Sequence, residues 1–265
     1  MQTSQSVTPF HTASQRANLG LQDHPVFQAL PPRAQAIAAE KSILIHLDSG
    51  ETAPGSDCLH FVLAGVLGLS PGNDRVCVSA VVAGAVYGWD RALDPDAPLP
   101  VARALIDTLA CQIPTACIVD SMGREWLTRL VARQSPRRLH FLAEEAVCNA
   151  SHLVVERLAK WLVRLHCGAN GAPLSLTQAD IGAMLGVQRT SINAAAGRLQ
   201  TEGLVRFGRG KVQILNLAGL RAVSCGCGEA RPGQRTTLVK HKMEVPSWSS
   251  VAHGDAAGVQ RTVAS

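Results

Sequence analysis

The stretch TQADIGAMLGVQRTSINAAAGRL, Thr177 to Leu199, decides how the rest of the chain is read. Thr177 followed by Asp180 has the form of a capping box, with the carboxylate where glutamate is more usual. A short helix therefore opens there, with Ile181, Met184 and Leu185 on one side. Gly186 ends it, because glycine takes the left-handed conformation at no steric cost, and GVQ supplies the short turn of a helix-turn-helix. A second helix begins at Arg189 and runs to about residue 202. In it Ile192, Ala195 or Ala196, and Leu199 recur at helical spacing and face a core, which leaves Arg189, Thr190 and Asn193 outward at the front. Polar groups crowded onto the first turn fit a helix that enters the DNA major groove, where Arg forks onto guanine and Asn onto adenine. The alanines behind them let the helix body lie close to its neighbours.

Next comes GLVRFGRGKVQILN, two alternating segments joined at GRG. A hairpin placed directly after a recognition helix is a wing, and Arg206, Arg209 and Lys211 give it phosphate-binding charge. Lys and Arg thicken in this half of the chain, and the net charge of +5 fits an anionic partner.

With 265 residues and 46% hydrophobic content, the chain can bury one large core or two modest ones. The polar start MQTSQSVTPFHTASQRANLG lacks the features of a signal peptide. The longest apolar runs, HFVLAGVLGL and VSAVVAGAVYGW, fall short of the roughly 18 residues of a membrane span, so a cytoplasmic protein without membrane association is expected. Eight cysteines, at 58, 77, 111, 117, 148, 167, 225 and 227, show no paired metal-ligand spacing and read as reduced thiols, most of them in apolar surroundings. Cys225 and Cys227 form a bare C-x-C, read as tail chemistry. His140, His152 and His166 lie 12 and 14 residues apart, which is not the i, i+4 spacing of a helix-borne site. No metal site and no cofactor are expected.

From Ser42 to Asp120 the pattern is one of short antiparallel strands, SILIHL, LHFVLAG, VLGLS, RVCVSAVVAG and ARALIDTLACQI, punctuated by Gly, Pro, Asn and Asp. They imply a barrel, roll or sandwich. After Asp120 the period becomes helical, first in GREWLTRLVARQ. A second helix is expected to be capped by Ser135 with Pro136 at its first position, carrying an apolar stripe of Leu139, Leu142, Ala143, Ala146, Val147 and Ala150. A helix that is apolar on more than one side needs a second partner, so this one is expected to pair with a twofold mate. A third helix follows at SHLVVERLAKWLVRLHC, with Val154, Leu158, Trp161, Leu162 and Leu165 in its stripe.

CNASHLVVERLAKWLVRLH joined to LSLTQADIGAMLGVQRTSINAAAGRLQTEGLVRFGRGKVQILNLAGLRAVSC resembles the Crp/Fnr family of bacterial transcription regulators over Cys148 to Cys225. The N-terminal half resembles the family in LHFVLAGVLGLS, similar to its central hairpin, in VVAGAVYGWDRAL, similar to its Gly-rich turn and short helix, and in ARALIDTLACQIP, similar to its closing strands. The resemblance implies an α+β chain: an N-terminal antiparallel β-roll of the cyclic-nucleotide-binding type, a long dimerisation helix and a C-terminal winged helix-turn-helix. It implies a homodimer, double-stranded DNA with a near-palindromic operator, and RNA polymerase as a further partner. On this reading the DNA contacts come from Thr177, Gln178, Arg189, Thr190, Ser191, Asn193, Arg198, Arg209 and Lys211.

Two departures matter. Trp89 follows Gly88 where the family's cyclic-AMP binders place a Glu for the ribose, and PLPVA stands where an Arg pair would hold the phosphate. A buried phosphate without such donors is undercompensated, so cyclic AMP is not expected to bind. An iron–sulphur sensor is not expected either, since no cysteine precedes Cys58. In the recognition helix, Thr190 and Ala194 replace a Glu and an Arg of many members, so the operator is not copied from them and DNA shape takes part in reading. The expected division is a tail at 1–20, a β-roll at 21–134, a dimerisation helix at 135–151, the DNA-binding domain at 152–222 and a disordered tail at 223–265. An enzyme is not expected: no catalytic dyad, triad or phosphate-binding glycine loop is present. The competing reading is a redox or small-molecule sensor whose β-roll carries the main activity, with weak DNA output.

Overall fold

The computed structural model describes residues 20–227 apart from 56, 73–75 and 95, with the side chains of 133, 134 and 137 also left aside. The expected N-terminal tail up to residue 19 and the expected C-terminal tail from 228 onward lie outside the described residues.

Two short helices, α1 (Pro25–Gln28) and α2 (Pro32–Lys41), precede the sheet, each with proline in its first turn, where the missing N–H costs nothing. Strands β1 (Ile43–Leu47), β2 (Cys58–Ser70), β3 (Ser79–Val82), β4 (Val86–Tyr87) and β5 (Val101–Pro114) form one antiparallel sheet. Its order is β1-β5-β2-β3, with β4 also on β2. The expected hairpin in LHFVLAGVLGLS is instead a single strand, β2, paired with β5 from Cys58 to Ser70. Gly65 does not turn the chain. Its φ of 92° and the register shifts around Ala64 and Val66 make a bulge in which an added Cβ would meet the Thr108 backbone at 2.6 Å, so bending is achieved without breaking the ladder. The closing strands expected in ARALIDTLACQIP are likewise one strand, β5.

Helix α3 (Trp89–Leu93) follows β4, and α4 (Thr115–Met122) begins directly after β5, earlier than the sequence period suggests. Helix α5 (Arg124–Ser151) is unbroken for 28 residues. The expected boundary at Ser135–Pro136 is therefore corrected: Pro136 lies inside the helix, and the Ser135 hydroxyl donates back to the Val131 carbonyl at 3.0 Å instead of capping a new start. The N-terminal half of α5 buries Leu127 and Val131 against Phe27, Phe61 and Trp89. Its C-terminal half leaves Leu139, Leu142, Ala143, Ala146, Val147 and Ala150 exposed. On the opposite side Glu145 and Cys148 are buried.

The chain bends at His152 and enters α6 (Val154–Gly168), which buries Leu158, Trp161, Leu162 and Leu165 in the C-terminal core. Around it lie α7 (Gln178–Leu185), α8 (Arg189–Thr201), the hairpin β6 (Val205–Gly208) and β7 (Lys211–Ile214), and α9 (Leu217–Val223). Leu220 anchors α9 on this core, so the chain stays packed past the expected limit at 222. Burial of Glu145 is balanced by Lys160 at 2.6 Å and Arg164 at 3.1 Å, which joins α5 to α6. Among the described residues no helix is long and apolar enough to cross a membrane.

Candidate nucleic-acid interface

Helix α7 starts as the sequence dictates. The Thr177 Oγ accepts the Asp180 N–H at 3.1 Å and Asp180 Oδ2 accepts the Thr177 N–H at 3.1 Å, so two orphan donors are satisfied reciprocally. Gly186 ends the helix at φ 65° and ψ 36°, and the Val187 N–H returns to the Gly182 carbonyl at 3.0 Å. Two further carbonyls at this end find partners: Met184 accepts the Cys77 N–H at 2.9 Å, and Leu185 accepts the buried Arg157 guanidinium at 2.7 Å. Arg157 was not legible as a positioning residue. The one sign of it is an arginine among the aliphatic positions of α6.

Helix α8 buries Ile192, Ala195, Ala196 and Leu199, the set expected, with both alanines inward. Arg189, Thr190 and Asn193 are exposed at its front, Ser191 is half-buried, and Ala194 is exposed. Thr177 is exposed and Gln178 half-buried at the start of α7, and both share an open groove with Arg189, Phe207, Gly208 and Gly210. The front of α8, the start of α7 and the wing thus form one continuous surface. Arg198 stands apart on the exposed side of α8, where its Nε donates to Glu202 at 2.9 Å.

The wing pairs Gly208 with Lys211 across a two-residue turn, with Gly210 at φ 69°. Arg206, Arg209 and Lys211 are exposed on it. Gln200 of α8 accepts the Phe207 N–H at 2.9 Å, and Leu174 exchanges backbone hydrogen bonds with Val212, so the wing is fixed to the core it follows.

The side chains around β4 and α3, where the resemblance puts a nucleotide cassette, are engaged with the protein's own groups. Trp89 is buried, edge-on to Phe61 with centroids 6.3 Å apart. The Tyr87 hydroxyl donates to the Pro100 carbonyl at 2.6 Å, and burial raises its pKa. Arg91 donates to Asp57 and the Ala97 carbonyl, each at 3.3 Å, and Arg103 to the Gly50 carbonyl at 2.6 Å. Asp90 accepts a two-pronged bond from Arg138 of α5 at 2.7 and 2.8 Å, tying α3 to the long helix. Burial lowers the pKa of nearby His60 and His24, that of His24 to about 4.

Residues 156–223 match the model of the Crp-like helix-turn-helix domain. Among solved structures, the chain is similar to a regulator assigned to the Crp/Fnr family from Eubacterium rectale, at 18% identity over 75% of this chain and 97% of that one, with a TM-score of 0.56. It is similar to FixK2 from Bradyrhizobium japonicum, at 20% identity over 69% and 97%, TM-score 0.52. A CRP-family transcriptional regulator from Thermus thermophilus is similar at 19% identity over 68% and 96%, TM-score 0.52. A comparison with curated proteins finds no match. These structural likenesses establish the fold, and the helix-turn-helix match supplies the nucleic-acid module. Residues 156–223 thus carry a Crp-like helix-turn-helix domain, a DNA-binding module, in a chain that shares the fold of Crp/Fnr regulators.

Proposed function

We propose that the protein works in the cytoplasm as a homodimer that reads a near-palindromic operator in double-stranded DNA and acts on RNA polymerase, without cyclic AMP as its signal. The observation that carries the DNA reading is the unobstructed front of α8, where Arg189, Thr190 and Asn193 are exposed beside a cationic wing. Arg189 and Asn193 read base edges, Ser191 and Thr190 assist, and Thr177, Gln178, Arg198, Arg209 and Lys211 hold phosphates. Two such surfaces related by a twofold axis fit half-sites about one helical turn apart. The exposed apolar stripe of α5 is the surface on which that axis is placed.

The exclusion of cyclic AMP rests on Trp89 filling its corner of the core and on Arg91 and Arg103 being engaged by the protein's own acceptors. A phosphodiester there would have to break those bonds without a replacement for them. Calorimetry with cyclic AMP is expected to show no saturable heat, and a micromolar dissociation constant would overturn this part. The DNA reading is tested by comparing Arg189→Ala and Asn193→Ala on the selected operator and on scrambled DNA. Each costs about 1–3 kcal/mol on the operator and relaxes one base position, leaving scrambled DNA nearly unaffected. Equal loss on both would remove α8 from the groove.

A further inference from the structure

The second half of the long helix and the segment after the last helix converge on one point. Cys148 and His152, i and i+4 at the end of α5, face Cys225 and Cys227, which follow α9. The four ligand atoms, three Sγ and one imidazole nitrogen, all lie within 4.8 Å of one another. Cys148 Sγ is 3.6 Å from Cys225 Sγ, and Cys227 Sγ is 3.5 Å from His152 Nδ1. A tetrahedral zinc with Zn–S of about 2.3 Å and Zn–N of about 2.0–2.1 Å has S···S edges of ~3.8 Å and S···N edges of ~3.6 Å, close to these separations. An S···S distance of 3.6 Å is also far outside the ~2.05 Å of a disulfide.

We propose that Cys148, His152, Cys225 and Cys227 form a Cys3His site for one zinc ion, which clasps the end of the winged-helix domain to the end of the long helix. Gly226, at φ 68°, provides the left-handed residue that lets the two flanking cysteines turn to the same side. The surroundings match the charge of the site. The Lys160 ammonium donates to Cys148 Sγ at 3.1 Å and to Glu145, which Arg164 also reaches, so the neighbouring protein charges leave one positive charge over. Zinc with three thiolates and a neutral imidazole carries one negative charge, and an ammonium bonded to a ligating sulfur is the second-layer contact that such sites use. Cys148 is fully buried while the other three are half-buried, so the ion has an inner wall and a route in. All four positions belong to the protein, which leaves no open position and makes the site structural.

The location gives the ion a mechanical role. His152 is the residue at which α5 ends and the chain turns into α6, with φ −98° and ψ 147°. An ion held by the hinge residue, the helix before it and the segment after α9 fixes the angle between the long helix and the winged helix. This inference stands on the cluster alone and does not depend on how DNA is read.

The test uses the full chain with no polyhistidine tag, purified under reducing conditions. Elemental analysis is expected to give about one zinc per chain, falling to near zero in the Cys225→Ser/Cys227→Ser variant. Both substituted residues lie beyond the last helix, so a circular dichroism spectrum unchanged from the parent shows that the variant remains folded. Cobalt(II) added to chelator-stripped parent protein is expected to give the strong visible bands of tetrahedral coordination and a near-ultraviolet thiolate band, both absent in the variant. Reduced protein without metal and without cobalt bands would overturn the proposal. So would a metal content that the double substitution does not change, or a Cys148–Cys225 disulfide in metal-free protein, which would mark the pair as a redox couple. Because the readout is metal, none of these outcomes bears on DNA binding.

Discussion

Substituting Val147 by Glu places a charge in the middle of the exposed stripe of α5 and tests whether that stripe meets a second chain. Leu139, Leu142 and Val147 leave 67%, 40% and 57% of their surface in contact with solvent. Full burial of such a side chain stabilises by about 1.5–3 kcal/mol, so covering these fractions contributes about 2–5 kcal/mol per protomer and about 5–10 kcal/mol per dimer. A micromolar dimer requires about 8 kcal/mol, and association itself costs several, so the alanines at 143, 146 and 150 and the close approach they permit must add to the three larger side chains. Losing the Val147 share on both protomers removes about 2–3 kcal/mol, before any cost of burying two carboxylates. The dimer dissociation constant should therefore rise by about 30- to 150-fold or more. Val147 touches no core of its own chain, so the melting curve of the dilute monomer should stay where it is. Sedimentation equilibrium over a concentration series measures the constant, and calorimetric melting checks the fold. A variant that dimerises like the parent, or a parent that stays monomeric at high micromolar concentration, would refute the assignment of this face.

Arg209→Ala and Lys211→Ala should weaken operator and scrambled DNA alike, each lowering the log–log salt slope by roughly one unit because one fewer counterion is released; fluorescence anisotropy over a salt series measures this. Glu145→Ala strips the buried Lys160 and the nearly buried Arg164 of their carboxylate and should cost about 3–5 kcal/mol in urea unfolding, with much of the loss recovered when Lys160→Met is added. His24 is held at about 4 by burial against an ordinary 6.5, so between these values the unfolded chain binds the proton and the folded one does not. Stability should accordingly be intact above pH 6.5 and fall by up to about 1.4 kcal/mol per pH unit down to about 4. His24→Asn, which keeps an acceptor for the Val26 N–H that the ring now receives at 3.2 Å, should flatten that slope in pH-dependent urea melts.

The DNA-binding half was legible because its determinants are local. The Thr177–Asp180 box, the left-handed Gly186, the inward Ile192 and Leu199 and the turn at Arg209–Gly210 each act within a few residues, and each stands in the structure as the residues imply. The boundary between residues 151 and 152 was legible for the same reason, since a new apolar stripe begins at Val154. Where a local signal was outweighed by packing, the sequence misled. Pro136 reads as a helix start, yet the apolar positions on both sides of it, Leu127 and Val131 before and Cys148 after, are buried on neighbouring elements, and this holds α5 in one piece. Gly65 reads as a turn, yet unbroken pairing of β2 with β5 on either side makes it a bulge.

The amino-acid sequence by itself determined the helix-turn-helix and its wing, because each is a matter of residue type at short spacing. Only the tertiary structure decided that Cys148 and His152 share a corner with Cys225 and Cys227. The i, i+4 relation of the first two was there to be seen. Their partners lie more than seventy residues further on, and it is Leu220, buried on the core around α6, that turns the chain back to the end of α5. No periodicity carries that information, because it resides in how one helix packs on another.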